Sequence, residues 1–162
     1  MDLLKDTIQR QYGQKIRVRV CGLLVTGQGL LLAGLQGLIP EGNFWIPPGG
    51  GLEFGETLHQ ALQREFSEET GLAVNVHELL RLHQFIKPPL HALEFFFRVT
   101  HTGGSLVTGS DPELNSAVQL IKEVRFFQLE ELKQMPADCL HPVLHNLHSF
   151  PDLLQPNLRF PE

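Results

Sequence analysis

Cysteine is scarce in this chain: Cys21 and Cys139 are the only two among 162 residues. They lack the Cys-x-x-Cys spacing, so neither a cysteine-built zinc site nor a disulfide framework is indicated. Reduced thiols in a cytoplasmic setting are the expectation. Long apolar runs are also missing. No stretch approaches the roughly 20 residues needed to cross a bilayer. The opening MDLLKDTIQRQYGQK has no apolar signal core, so no membrane partner is expected. Basic residues are outnumbered, 13 Lys and Arg against 18 Asp and Glu, for a formal net charge of −5. That is a poor match for duplex nucleic acid, which draws basic surfaces. It leaves room for a small anionic ligand, because a bound divalent cation reverses the local field. Repeats, low-complexity tracts and linkers are absent.

What is present is the composition of a globular core, 42% hydrophobic and 19% charged. The length fits one domain over residues 1–162, with a leader at 1–14 and an irregular tail at 150–162. The leader reads as a short helix with Leu3, Leu4 and Ile8 on one side. Residues 16–25 and 30–35 read as a strand hairpin around Thr26-Gly27-Gln28-Gly29. A short aromatic strand at 43–47 leads into an irregular Pro-Gly loop at 47–51. Further strands are expected at 74–85, 93–100 and 123–128. Helices are expected at 57–70 and 129–134, with a weaker helical stretch at 143–148. Strands interleaved with helices give an α/β class, a mixed sheet between helical layers.

The informative helix is the one at 57–70. Thr57 followed by Gln60 makes a capping box, and Gly71 suits the left-handed position just past a helix end. Projected at about 100° per residue, Leu58, Leu62, Glu65 and Glu69 fall along one line, with Glu68 on a flank. The stripe that should face the core is therefore apolar in its first half and acidic in its second. Carboxylates at a helix C-terminus are disfavoured by roughly 0.3–1 kcal/mol each. Glu65 and Glu69, one turn apart, also repel each other. Something positive should face them. Arg64 projects to the side of Glu69, whereas clustered carboxylate oxygens suit Mg²⁺ or Mn²⁺. Just upstream, Gly49, Gly50 and Gly51 follow two prolines and permit a backbone that can approach a ligand closely.

Residues 50–72, GGLEFGETLHQALQREFSEETGL, resemble the Nudix box. Its pattern, Gly-x5-Glu-x7-Arg-Glu-U-x-Glu-Glu-x-Gly-U with U a bulky apolar residue, is met by Gly50, Glu56, Arg64, Glu65, Phe66, Glu68, Glu69, Gly71 and Leu72. The resemblance implies the Nudix α/β/α sandwich and a Mg²⁺-dependent hydrolase of nucleoside diphosphates linked to a second moiety. It implies that Mg²⁺ is bound by Glu65, Glu68 and Glu69 with the Gly50 carbonyl. It further implies that Arg64 orients the acids and Glu56 supports them. The catalytic set is Glu68, Glu69 and Arg64, joined by a later loop acid for which Glu113 is the candidate and Asp111 its neighbour. The base itself stays open.

For the substrate, some relatives acting on ADP-ribose carry a proline about sixteen residues past the box, where Pro88 and Pro89 stand. No tyrosine lies in that stretch, which weakens a dinucleoside polyphosphate reading. ADP-ribose or another nucleotide sugar is the leading expectation, and nucleoside triphosphate cleanup the alternative. A non-catalytic ligand sensor and an acidic protein-docking domain are the rival classes. Phe44 and Trp45 either stack on a base or pack in the core, the latter favoured; His83 and His91 either line the pocket or have no role there, and Lys87 and Arg98 either contact phosphate or are surface charges. The leader is a candidate homodimer arm or packs on its own subunit.

Overall fold

A computed structural model describes residues 2–108 and 120–160. Its elements are α1 (Asp2–Tyr12), β1 (Arg17–Leu23), β2 (Val25–Thr26), β3 (Gly29–Gln36), β4 (Asn43–Ile46), β5 (Gly49–Gly51), α2 (Leu58–Thr70), β6 (Leu72–Lys87), β7 (Leu90–Gly104), β8 (Ile121–Phe127), α3 (Leu129–Gln134) and α4 (Phe150–Leu153). Short 3₁₀ turns occupy Ala137–Cys139 and Pro142–Leu144.

Two four-stranded sheets replace the single expected one. The first runs β5-β1-β7-β6, with β1 parallel to β7 and antiparallel to β5. The second joins β2, β3 and β4, and β8 adds to β3. The expected hairpin of 16–25 with 30–35 is thus split. The chain changes sheets at Leu24, and only Val25–Thr26 pairs back onto β3. The physical reason lies in β1, whose last four residues are all buried. Such a stretch is satisfied between two strands rather than at a sheet edge.

The Pro-Gly segment also departs from expectation. Gly49–Gly51 is a strand, paired to Arg19, Val20 and Cys21. A Cβ on Gly49 would lie 1.9 Å from the Val20 carbonyl oxygen, so only glycine lets the two backbones come this close.

Strand alternation builds two cores on opposite faces. Val20, Leu24, Phe97 and Val99 pack with Ala61, Leu62 and Phe66 of α2. Cys21, Leu23 and Phe96 pack with Leu132 of α3, Leu140, Leu144 and Leu153 of α4. This is the α/β/α layering the sequence pattern implied. Each large side chain so buried contributes about 1.5–3 kcal/mol.

The ends are better ordered than the sequence suggested. In α1, Ile8 and Tyr12 are buried against Leu120, Leu35, Leu38 and Leu90, while Leu3 faces solvent. The leader therefore packs on its own chain. The tail is not wholly irregular: Ser149 caps one helical turn, Leu153 is buried, and Arg81 donates to the Asp152 carbonyl at 3.0 Å. The stretch expected to be helical at 143–148 shrinks to a 3₁₀ turn, Pro142–Leu144. No helix among the described residues is long and apolar enough to cross a membrane.

Candidate active site

Helix α2 is fixed at both ends by its own sequence. Thr57 Oγ1 accepts from Gln60 N at 3.1 Å, and Gln60 Oε1 accepts from Thr57 N at 2.9 Å. Gly71 closes the helix at φ 74° and donates its N–H to Ser67. Between these caps the helix buries Ala61, Leu62 and Phe66 and, on the same face, Glu65. Strand β5 runs beside this face, where glycine is again required. A Cβ on Gly50 would sit 2.2 Å from the Glu65 carboxyl carbon. The space that any other residue would fill is taken by a carboxylate.

Arg64 ties the acidic cluster together. Its Nε and Nη2 donate to the two oxygens of Glu56 at 2.7 and 3.0 Å. Nη2 also reaches the Gly51 carbonyl at 3.0 Å, and Nη1 reaches Glu65 at 2.8 Å and Glu68 at 3.3 Å. The Arg64 hydrogen bond holds the Glu56 carboxyl below the usual carboxylate range. Among these bonds Arg64 reaches Glu65 and Glu68, the acids it was expected to orient. Glu69 instead accepts the Gly49 N–H at 2.9 Å.

Glu65, Glu69 and Gly49–Gly51 form one wall of a cleft. The same cleft is lined by Arg17 and Arg19 from β1, the strand paired to β5, by Tyr12 from α1, and by Phe44, Phe85, Leu38 and Leu90. Behind Arg19 lies an ionic network that sequence reasoning did not find. Arg19 Nη1 donates to Glu94 Oε1 at 3.0 Å, and the Glu94 side chain has no exposure. Its Oε2 meets His141 Nε2 at 2.7 Å and His83 Nδ1 at 3.3 Å. Burial works against the Glu94 carboxylate, but the His141 and His83 hydrogen bonds and the Arg19 charge outweigh it and hold Glu94 well below the ordinary range. Burial also depresses His141, so that ring stays neutral and the balancing charge is that of Arg19.

Two places deserve comparison as cation sites. Atoms of His83, Glu94 and His141 lie within 4.8 Å of one another. Yet His141 Nδ1 accepts the Val143 N–H at 3.1 Å, so by the bonding pattern Nε2 carries the ring proton and has no lone pair to offer. Arg19 already neutralises the carboxylate there. The chemistry of that cluster is an ion-pair network. Glu65, Glu68 and Glu69 with the Gly50 backbone are the better fit. They are hard oxygen donors, with Glu65 and Glu69 lining the cleft and Glu68 joined to Glu65 through Arg64, and the glycine cradle under Glu65 keeps that carboxylate against β5.

A NUDIX domain model matches residues 15–147. The chain belongs to the NUDIX family. It is 32% identical over 123 residues to an ADP-ribose pyrophosphatase of Methanocaldococcus jannaschii, covering 75% of this chain and 67% of that one. It is 43% identical over 54 residues to an RNA pyrophosphohydrolase of Novosphingobium aromaticivorans, a match spanning 33% of this chain and 34% of that one. Among solved structures, a MutT protein from Methanosarcina mazei Go1 shares the fold at a TM-score of 0.61 and 17% identity, covering 89% and 92% of the two chains. An ADP-ribose pyrophosphatase from Streptococcus suis does so at 0.59 and 16%, covering 90% and 98%. The protein is accordingly a NUDIX hydrolase of the pyrophosphohydrolase kind.

Within this NUDIX fold the box residues Gly50, Glu56, Arg64, Glu65, Glu68 and Glu69 come together at one site. Asp111 and Glu113 lie outside the described residues. Pro88 and Pro89 form the β6–β7 turn and border a surface hollow beside α1 that shares Leu38 with the cleft. Phe44 lines the cleft, while Trp45 is core, edge-on to Phe127. His83 joins the Glu94 network, and His91 bonds Gln84 at 2.9 Å. Arg98 pairs with Glu78 on the surface, and the Lys87 ammonium lies 5.7 Å above the Phe44 ring. Cys21 is a buried free thiol, pushed up by desolvation and therefore unreactive. Tyr12, Arg17 and Arg19 of the cleft, and Glu94 behind it, were missed. The alternation of Arg17-Val18-Arg19-Val20 was the one signal that could have found the arginines.

Proposed function

We propose that the chain hydrolyses the diphosphate of ADP-ribose or a similar nucleotide sugar, using Glu65, Glu68 and Glu69 to hold Mg²⁺ with the Gly50 carbonyl. The observation that carries this reading is that acidic and basic side chains, Glu65 and Glu69 with Arg17 and Arg19, line one cleft. Bound there, Mg²⁺ supplies charge neutralisation for the diphosphate and stabilises charge developing in the transition state. The side chains supply order. Arg64, held on Glu56 and Gly51, keeps Glu65 and Glu68 aligned. Glu69, steadied by the Gly49 N–H, and Glu68 are the candidates for orienting the attacking water and taking its proton. Water then adds across one P–O–P linkage, giving two phosphomonoesters.

The nucleotide-sugar preference is supported by the Methanocaldococcus relative. The apolar stretch of Phe44, Phe85, Leu38 and Leu90 would take a base or sugar face. A panel of ADP-ribose, other nucleotide sugars and nucleoside triphosphates with Mg²⁺ tests it. AMP plus ribose phosphate is the expected product, and nucleoside monophosphate plus pyrophosphate would favour the triphosphate reading. Glu69→Gln should fold and bind but not turn over. A wild-type protein that binds these ligands and turns over none would be a sensor instead.

A further inference from the structure

The acidic residues of the cleft have a role in that mechanism, but the basic ones so far have none. They come from β1, where alternation sends Arg17 and Arg19 to the same side, and both line the cleft that Glu65 and Glu69 also line. Arg17 lies over the Tyr12 ring at 4.3 Å. Arg19 is the more constrained, with 15% of its side chain exposed. Its Nη1 is fixed by Glu94, its Nη2 reaches the Gly49 carbonyl at 3.5 Å, and its Nε–H is buried without a hydrogen-bond partner in the structure.

Stability does not account for this arrangement. A buried ion pair is often no more stable than well-packed apolar residues of the same volume. Here the carboxylate is also fixed by two histidines from β6 and the segment before the second 3₁₀ turn. Several side chains thus cooperate to hold one guanidinium in the cleft that Glu65 and Glu69 also line. A guanidinium presents a rigid planar fork of donors matched to phosphate oxygens.

We propose that Arg19, together with Arg17, is the seat for a phosphate of the bound nucleoside diphosphate, and that Glu94 is the positioning residue that aims Arg19 into the cleft. The diphosphate would then lie between the arginines and the cation-binding glutamates. This inference rests on the hydrolase reading for its substrate class, yet it is tested by binding alone.

The probes are ADP and adenosine, titrated calorimetrically with Mg²⁺ present, beside steady-state kinetics with ADP-ribose. Arg19→Met alone would strand the Glu94 charge, so the variants are Arg19→Lys, which keeps the charge, and Arg19→Met/Glu94→Gln, which removes both. ADP affinity should fall about ten- to a hundredfold in each, the worth of a charge-assisted hydrogen bond. Adenosine affinity should stay within about threefold. KM for ADP-ribose should rise by more than kcat falls. Glu94→Gln alone should weaken ADP by less, in the same direction.

Folded variants that bind ADP as the wild type does, or that lose ADP and adenosine equally, would overturn the seat. So would a wild type that binds no ADP. Glu94→Gln with unchanged ADP affinity would overturn the positioning role. If the wild type binds ADP through Arg19 but hydrolyses nothing, the hydrolase reading fails and the seat stands. If it hydrolyses ADP-ribose and Arg19→Lys keeps full ADP affinity, the reverse holds.

Discussion

Gly50→Ala separates the fold of this protein from its chemistry. The new methyl carbon would stand 2.2 Å from the Glu65 carboxyl carbon and 2.3 and 2.5 Å from its oxygens. Ordinary van der Waals contact begins at 3.4 Å, so the carboxylate must retreat by about 1.2 Å, the difference of 3.4 and 2.2. The clash is with the end of a side chain, not with backbone, and Gly50 needs no left-handed conformation. The fold should therefore survive at a cost of about 1–3 kcal/mol. A displacement of that size at a reacting group lowers turnover about a hundredfold. The neighbouring Gly49→Ala makes the contrast, because its Cβ would meet the Val20 carbonyl at 1.9 Å and the Cys21 Cα at 2.7 Å. It should fail in folding before it fails in catalysis. The assay is Mg²⁺-dependent release of AMP from ADP-ribose, read beside thermal unfolding of each variant. A Gly50→Ala protein that melts near the wild type and keeps half its activity or more would refute the reasoning, since Glu65 would then not need its present place.

Three further outcomes can be measured. Glu56→Gln removes the charge that anchors Arg64, and activity or metal affinity should fall about ten- to a hundredfold with little change in melting temperature. Thr57→Ala deletes the capping box, and chemical denaturation should show about 1 kcal/mol lost, with the specific activity of the folded fraction retained. Burial depresses His141, so the unfolded chain binds the extra proton. Its contribution to stability is complete above about pH 6.5 and is lost as pH falls, by up to about 1.4 kcal/mol per pH unit. Urea midpoints between pH 7.5 and 5.5 would show this, and His141→Gln should flatten the slope. A His141→Gln protein as acid-sensitive as the wild type would count against it.

Much of α2 was legible because its signals are local. The Thr57–Gln60 box, the Gly71 cap and the switch from Leu58 and Leu62 to Glu65 and Glu69 all lie within one helix. Angular projection places Arg64 aside from Glu69, and its bonds to Glu65 and Glu68 come from a long side chain that bends back along the helix. Gly49–Gly51 could not be read as a strand, since glycine has little strand preference and its partner is β1, far back in the chain. Glu94 was hidden for a related reason. It sits in an apolar strand pattern, and what makes it informative are Arg19 and His141, 75 and 47 residues away. The sheet switch at Leu24 likewise depends on strands that come much later.

Residue Gly49 gives its N–H to Glu69 and its carbonyl to Arg19. Arg19 and Glu69 thus hang on a common hinge pin and cannot drift independently. Replacements at Arg19 and Glu69 should then interfere, their joint effect differing from the sum of the two. Any natural variant that shifts one of these side chains would have to bring its counterpart along.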